Sequence, residues 1–250
     1  METISMTDIH THILPGADDG AADIYETVEM ARLAFETGTE VIVATPHCNI
    51  PGEAPNYFGE EYLELFQQTK KTLEREVPGL RLLAGMEVFA TEDVPGLLAE
   101  GRICPINGSR YVLMEFDFEE EPDYACYILE RVKEVRAKPV IAHAERYEFV
   151  QDDPDIIKYW LREGYEIQIN KGSVMGRFGS RARHTAFRLL EDKLVTAVAS
   201  DAHGPHMRTT CLADAYDALM SRFPREYLDV LFRTNPLHIC KGEPVWHFRR

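Results

Sequence analysis

The chain has no long apolar run, no paired-cysteine motif, no excess of positive charge and no low-complexity stretch. Each absence removes a class of protein. No apolar segment approaches the length needed to cross a bilayer, so membrane insertion is not expected. The opening residues METISMTDIH have neither the basic nor the apolar region of a secretory signal, and the cytoplasm is the expected location. Cys48, Cys104, Cys126, Cys211 and Cys240 form no C-x-x-C pair, which fits free thiols in a reducing compartment. Lysine and arginine number 27 against 42 aspartates and glutamates, a formal net charge of −15. Nucleic-acid binding, which needs a basic footprint, is therefore not expected. An anionic substrate would have to be drawn by a local positive site against the field of the whole chain.

What is present is a regular alternation through 250 residues that are 45% hydrophobic, enough for a sizeable core. Apolar, β-branched runs at TDIH, 39–47, 80–87, 110–116, 138–145, 165–170 and 195–203 read as strands. Amphipathic stretches at 21–38, 59–77, 122–137, 153–164 and 180–192 read as helices. A short helix fits TEDVPGLLAEG, and two more are expected near 209–221 and 224–232. With no linker or repeat, 1–250 reads as one α/β domain with seven strand–helix alternations. Periodicity alone does not choose between a barrel and an open doubly wound sheet.

The ligand-type residues are not scattered over this pattern. In DIHTH, one residue separates His10 from His12, so on a strand both imidazoles face the same way. His47 ends the second expected strand, Glu87 the third and His143 the fifth; Glu115 is near the end of the fourth, and Asp201 and His203 end the seventh. Asp18 and Asp19 follow the first strand. In parallel α/β folds the carboxyl ends of the strands collect on one face, where active sites form. A lone histidine at a strand end is more often a hydrogen-bonded rim residue, and a lone glutamate a solvated or capping group. Five of the nine histidines at strand ends, with two glutamates and an aspartate, read instead as a multinuclear metal site. Imidazole and oxygen donors without thiolates favour manganese, iron(II) or zinc.

The strings DIHTHILPGADDG, ATPHCN, GMEVF, LMEF, IAHAERY, QINKGSVMGRFG, ASDAHG and TNPLHI, spread over about 7–239, resemble the polymerase-and-histidinol-phosphatase (PHP) metallohydrolase superfamily. Within it the chain is similar to the bacterial manganese-dependent protein-tyrosine phosphatases of capsule and exopolysaccharide systems. The resemblance implies a distorted seven-stranded (β/α)7 TIM-like barrel of PHP type with three divalent ions, manganese before iron(II) or zinc. It implies the ligands His10, His12, Asp19, His47, Glu87, Glu115, His143, Asp201 and His203, and phosphate-binding roles for Arg146 and Arg208. Asp18 matches a position without an assigned role. The implied activity is hydrolysis of phosphotyrosine on a protein such as a bacterial tyrosine kinase tail, by attack of a hydroxide bridging two ions. The alternatives are a histidinol-phosphate or other small-molecule phosphatase and, from another class, a non-catalytic metal-binding regulatory module.

Charge supports a phosphatase of this type. Three divalent ions bring about +6 and four carboxylates about −4, leaving about +4 once Arg146 and Arg208 are added, complementary to a phosphate dianion of about −2. Arg177, Arg181 and Arg183 are candidates for a positive entrance, or for a solvated loop and helix face, and 48–58 for part of the wall. Cys104 and Arg110 have the outer C-x5-R spacing of cysteine-dependent tyrosine phosphatases. That chemistry needs loop amides opening a helix, whereas here Pro105 removes an amide and a strand follows, so the match is rejected.

Overall fold

The computed structural model describes residues 5–248. Among them nine strands run as β1 (Met6–Thr11), β2 (Thr39–Ala44), β3 (His47–Cys48), β4 (Arg81–Ala84), β5 (Glu87–Phe89), β6 (Tyr111–Glu115), β7 (Lys138–Ile141), β8 (Glu166–Asn170) and β9 (Ala197–Ala199). They form two sheets of order β1-β2-β4 and β3-β5-β6-β7-β8-β9, parallel throughout. The outer strands β1 and β9 approach each other beyond the end of β9. The Asp201 N–H donates to the His10 carbonyl and the His12 N–H to the Ala202 carbonyl, both at 2.9 Å. The result is an α/β fold with a curled parallel sheet.

The two runs 39–47 and 80–87, read above as single strands, are each broken in the middle. Pro46 has no N–H to give to a ladder, although its carbonyl still accepts from Glu87 at 3.1 Å. At the second break the Tyr62 hydroxyl takes both backbone groups of Gly85, donating to its carbonyl at 2.9 Å and accepting from its N–H at 3.2 Å. Each run therefore starts in the smaller sheet and ends in the larger one, as β3 and β5, with His47 beside Glu87.

The helices are α1 (Ile24–Glu36), α2 (Glu60–Glu76), α3 (Val94–Ala99), α4 (Pro122–Glu134), α5 (Glu148–Asp152), α6 (Ile156–Glu163), α7 (Lys171–Val174), α8 (Gly179–Glu191), α9 (Ala213–Met220), α10 (Arg225–Asp229) and α11 (Asn235–Lys241). Helix α1 starts where Asp23 accepts from the N–H groups of Tyr25 and Glu26 at 2.8 and 3.1 Å, which satisfies two of the free donors of the first turn. In α2, Tyr62, Phe66, Thr69 and Leu73 are buried at helical spacing. Helix α11 was not anticipated: its first turn holds Asn235, whose amide donates to the carbonyls of Thr196 and Trp246 at 2.9 Å each. None of these helices is long and apolar enough to cross a membrane.

Alternation along the strands separates two cores. Ile9, Val43, Tyr111, Leu113, Val140, Ala197 and Ala199 form an inner cluster closed by Ile239 and Cys240 of α11. Val112, Met114, Ile141, Ile167 and Val198 face the other way, against the helices. On β6 the inward set is Tyr111, Leu113 and Glu115, so a strand that packs the interior at its start delivers a carboxylate at its end. Burial of one such aliphatic side chain is worth about 1.5–3 kcal/mol, which anchors each strand end in depth and rotation.

Candidate metal centre

All nine residues expected as ligands meet in one cluster, although His47 and Glu87, expected to end their strands, instead open β3 and β5 beyond the breaks, and Asp19 comes from the loop after β1. Nε2 of His10 and Nε2 of His12 are 3.2 Å apart. Glu87 Oε2 is 3.0 Å from the first, 3.1 Å from the second and 3.3 Å from His47 Nδ1. Asp201 Oδ1 lies 3.5 Å from Nε2 of both His10 and His12. Glu115 Oε1 is 2.8 Å from His47 Nδ1, and His143 Nε2 is 2.9 Å from Glu87 Oε1. At the outer rim Asp19 Oδ1 is 3.3 Å from His203 Nε2 and 3.6 Å from His47 Nε2. The donors fall into three overlapping groups: His12, Asp19, His47 and His203; His10, His12 and Asp201; His47, Glu87 and Glu115. His143 stands beside the third group.

Local backbone builds this convergence. His143 and Asp201 both sit at positive φ, 34° and 50°, a conformation that costs free energy for residues with a side chain and clusters at functional sites. The loop after β1 folds back over His12 because residue 20 is glycine: a Cβ there would stand 2.2 Å from the His12 carbonyl oxygen.

Sequence reasoning missed the residues that hold the donors. Gln168 Oε1 lies 3.0 Å from His10 Nδ1 and accepts the His143 backbone N–H at 3.0 Å. Its amide donates to Asn170 at 2.8 Å, and Asn170 donates to Asp201 Oδ2 at 2.5 Å. Asp18 Oδ2 lies 2.7 Å from His12 Nδ1. Acceptors behind Nδ1 leave Nε2 of His10 and of His12 aimed into the cluster, as metal-binding histidines require. For Gln168 and Asn170 the only signal was the period-2 face of EIQIN, while Asp18 was visible beside Asp19 without a role.

The electrostatics fit a cation-binding centre. Glu87 Oε2 is buried and takes no hydrogen bond, although three imidazole nitrogens surround it. Burial would raise the Glu87 carboxyl, but the charge of His10 and the closely placed imidazoles of His12 and His143 hold it well below the usual range. For Asp201 too, burial is outweighed by His10, His12 and Arg208, and its carboxyl is held low. Burial, with the charge of Glu87, pushes Glu115 up. Burial disfavours the imidazolium of His47, yet the hydrogen bond to Glu115 and the charge of Glu87 raise its pKa to about 9. His12 is likewise carried well above its ordinary value, against burial, by Asp18, Asp201 and Glu87. Carboxylates this deep need positive charge, supplied by imidazolium protons or by divalent ions. The donors are nitrogen and oxygen only, the set that manganese, iron(II) and zinc accept.

Both expected arginines reach the same carboxylate. Arg208 Nη2 lies 2.5 Å from Asp201 Oδ1 and Arg146 Nη1 3.8 Å from Asp201 Oδ2. Of the other three arginines, Arg177 donates to the Met207 carbonyl in the Arg208 loop. Arg181 pairs with Asp152 at 2.6 Å, and Arg183 donates to the Val174 carbonyl at 3.3 Å. The 48–58 segment is tied to the rim through Asn56, which donates to the His47 carbonyl at 2.7 Å. Cys104 is buried, and burial pushes its thiol up to about 11, the opposite of a phosphatase nucleophile.

The fold and the site together define an α/β protein carrying a buried nitrogen- and oxygen-donor centre with two arginines at its rim. The chain belongs to the family described as capsular polysaccharide synthesis, CpsB/CapC, which matches residues 6–241. It is 35% identical to the tyrosine-protein phosphatase YwqE of Bacillus subtilis over 88% of this chain and 86% of that protein. It is 29% identical to the tyrosine-protein phosphatase CpsB of Streptococcus agalactiae, over 96% of this chain and all of that one. A crystal structure from work on YwqE and on CpsB of Streptococcus pneumoniae, described as unique metal-dependent tyrosine phosphatases, superposes with a TM-score of 0.90 at 33% identity, covering 97% of each chain. A phosphotriesterase homology protein from Escherichia coli shares the fold at 13% identity and a TM-score of 0.62, over 94% of this chain and 98% of that one.

Proposed function

We propose that this chain is a metal-dependent protein-tyrosine phosphatase acting in the cytoplasm on a phosphotyrosine-bearing protein, such as the tail of a bacterial tyrosine kinase. The carrying observation is that Arg208 and Arg146 approach opposite oxygens of Asp201, at 2.5 and 3.8 Å, while Asp201 also faces Nε2 of His10 and His12. Phosphate-gripping groups and candidate metal donors thus share one point. His10, His12, Asp19, His47, Glu87, Glu115, His143, Asp201 and His203 would hold three divalent ions, manganese before iron(II) or zinc. On this reading the two sheets are one distorted seven-stranded (β/α)7 barrel of PHP type within a single domain, 1–250, whose second and third staves are each broken in two.

When bound, the ions offset the charge of the phosphate dianion and lower the pKa of water. The chain's own groups do the rest. Arg146 and Arg208 donate N–H groups to the phosphoryl oxygens and stabilise the charge that spreads over them during transfer. Gln168 and Asp18 keep His10 and His12 in the tautomer that leaves Nε2 free. The leaving phenolate, with an unperturbed pKa of about 10, needs less protonation than an alkoxide. The most open ligand is Asp19, with 67% of its side chain exposed.

The test is phosphate release from a phosphotyrosine peptide by protein loaded with manganese, against a chelated sample and against histidinol phosphate. Chelator-sensitive release from the peptide is expected. Activity confined to histidinol phosphate would make the chain a small-molecule phosphatase, and no release from either would leave a metal-binding regulatory module.

A further inference from the structure

The Arg146 guanidinium lies between two phenyl rings from distant parts of the chain. Its central carbon is 4.1 Å from the Phe118 ring centroid and 4.2 Å from that of Phe178. Phe118 is in the loop after β6 and Phe178 immediately precedes α8. Phe118 is 37% exposed, so core packing does not account for its position. Its ring centroid also stands 5.6 Å from that of the candidate ligand His143. Phe178 faces the second arginine as well, with the Arg208 guanidinium carbon 5.6 Å from its centroid. Room for the Phe178 ring comes from Gly172, where a Cβ would stand 2.5 Å from a ring carbon.

We propose that Phe118 and Phe178 are positioning residues that clamp Arg146 and so fix its guanidinium for bidentate capture of the phosphate. The deduction is physical. The backbone of Arg146 is set by the short turn Ala144–Arg146, where its N–H donates to the His143 carbonyl at 2.8 Å. Its long side chain still has many rotamers, and one long ion pair to Asp201 at 3.8 Å, on a carboxylate already held by Arg208 at 2.5 Å, does not select among them. Two ring faces on either side of a planar cation do, through cation–π attraction and steric confinement. They leave the N–H edge open, and that edge is what a phosphate oxygen pair needs. Preorganisation of this kind lowers the entropic cost of binding without adding a contact to the ligand.

The proposal rests on Arg146 being a phosphate ligand, and the experiment separates the two claims. The metal-loaded enzyme is assayed on a phosphotyrosine peptide with inorganic phosphate as competitive inhibitor. The variants are F118L, F178L, F178Y, G172A and R146A, together with F118L and F178L in the R146A background. Leucine keeps apolar bulk at each position and removes the ring face. F118L and F178L are expected to raise the phosphate inhibition constant about three- to thirtyfold at unchanged metal content. F178Y should retain near-native inhibition, and G172A, which displaces the ring, should behave like F178L. In the R146A background the leucine changes should have no further effect of this size. Equal losses with and without Arg146, or native inhibition in F118L and F178L, would overturn the clamp. R146A with native phosphate inhibition would overturn the phosphate role itself, and the clamp with it.

Discussion

Asp18 and His12 form a carboxylate–imidazole pair, Oδ2 to Nδ1 at 2.7 Å, and the same oxygen accepts the backbone N–H of His47 at 2.9 Å. One carboxylate thus joins the ends of the first two strand runs. Burial would raise the Asp18 pKa, but the hydrogen bond and charge of His12 hold it below its ordinary value, so it stays an acceptor at neutral pH. The D18A variant should bind manganese about 10- to 100-fold more weakly, with activity recovering at high manganese concentration. Metal titration alongside circular dichroism measures this. Native affinity in D18A would show that the pair orients nothing.

How much of this was legible in the chain depends on where the information lies. The donors were readable because parallel strand runs bring the residues at and just beyond their far ends to one rim. His10, His47, Glu87, His143 and Asp201 could thus be grouped by position along the runs, even though His47 and Glu87 turned out to open separate strands. Asp18 and Gln168 were not, because their roles exist only through partners: Gln168 meets His10 across 158 residues of sequence. The break at Gly85 depends on the Tyr62 hydroxyl from a helix, which no period-2 pattern carries. The surroundings of Arg146 have the same character, since Phe118 and Phe178 each reach its guanidinium from loops distant in sequence.

The metal-free protein should respond to pH through His47. Its folded pKa is raised from 6.5 to about 9. A raised pKa means that the protonated form stabilises the fold, fully below pH 6.5, and that this contribution is lost as pH rises towards 9. Chelated protein should therefore melt at progressively lower temperature from pH 6.5 to 9. Metal binding must displace the same proton, so manganese affinity should rise over that window, with proton release. Calorimetric titrations in buffers of different ionisation enthalpy count the protons. A flat profile in both measurements would remove His47 from the cluster.

Cys104 should be dispensable. It lies on the segment leading into β6, ahead of the five residues that end in Glu115, and its buried thiol donates to the neighbouring Pro105 carbonyl at 3.5 Å. C104S exchanges one small donor for another, so its expected cost is limited to about 1–3 kcal/mol of stability from burying a more polar group. Turnover of a phosphotyrosine peptide should be unchanged below the melting transition. Loss of turnover in a folded, metal-replete C104S protein would restore the cysteine mechanism.

Arg208 should resist conservative replacement. It reaches Asp201 in two ways, Nη2 to the carboxylate at 2.5 Å and Nε to the backbone carbonyl at 3.2 Å, while its own carbonyl accepts the His203 N–H at 2.8 Å. The guanidinium is thus held at two of its nitrogens, in a geometry set by its planar fork. A lysine carries the charge as a point and has no such fork. Removing a preorganised donor to the transition state typically costs about 100-fold or more in turnover, so R208A should lose about that factor in kcat/KM on a phosphotyrosine peptide. R208K should recover only a minor part of it. Metal content should stay native in both, because the donors of Asp201 remain. If R208K matched the native enzyme, charge alone would be at work and the fork geometry would carry no function; if metal were lost with activity, Arg208 would be serving the centre rather than the phosphate.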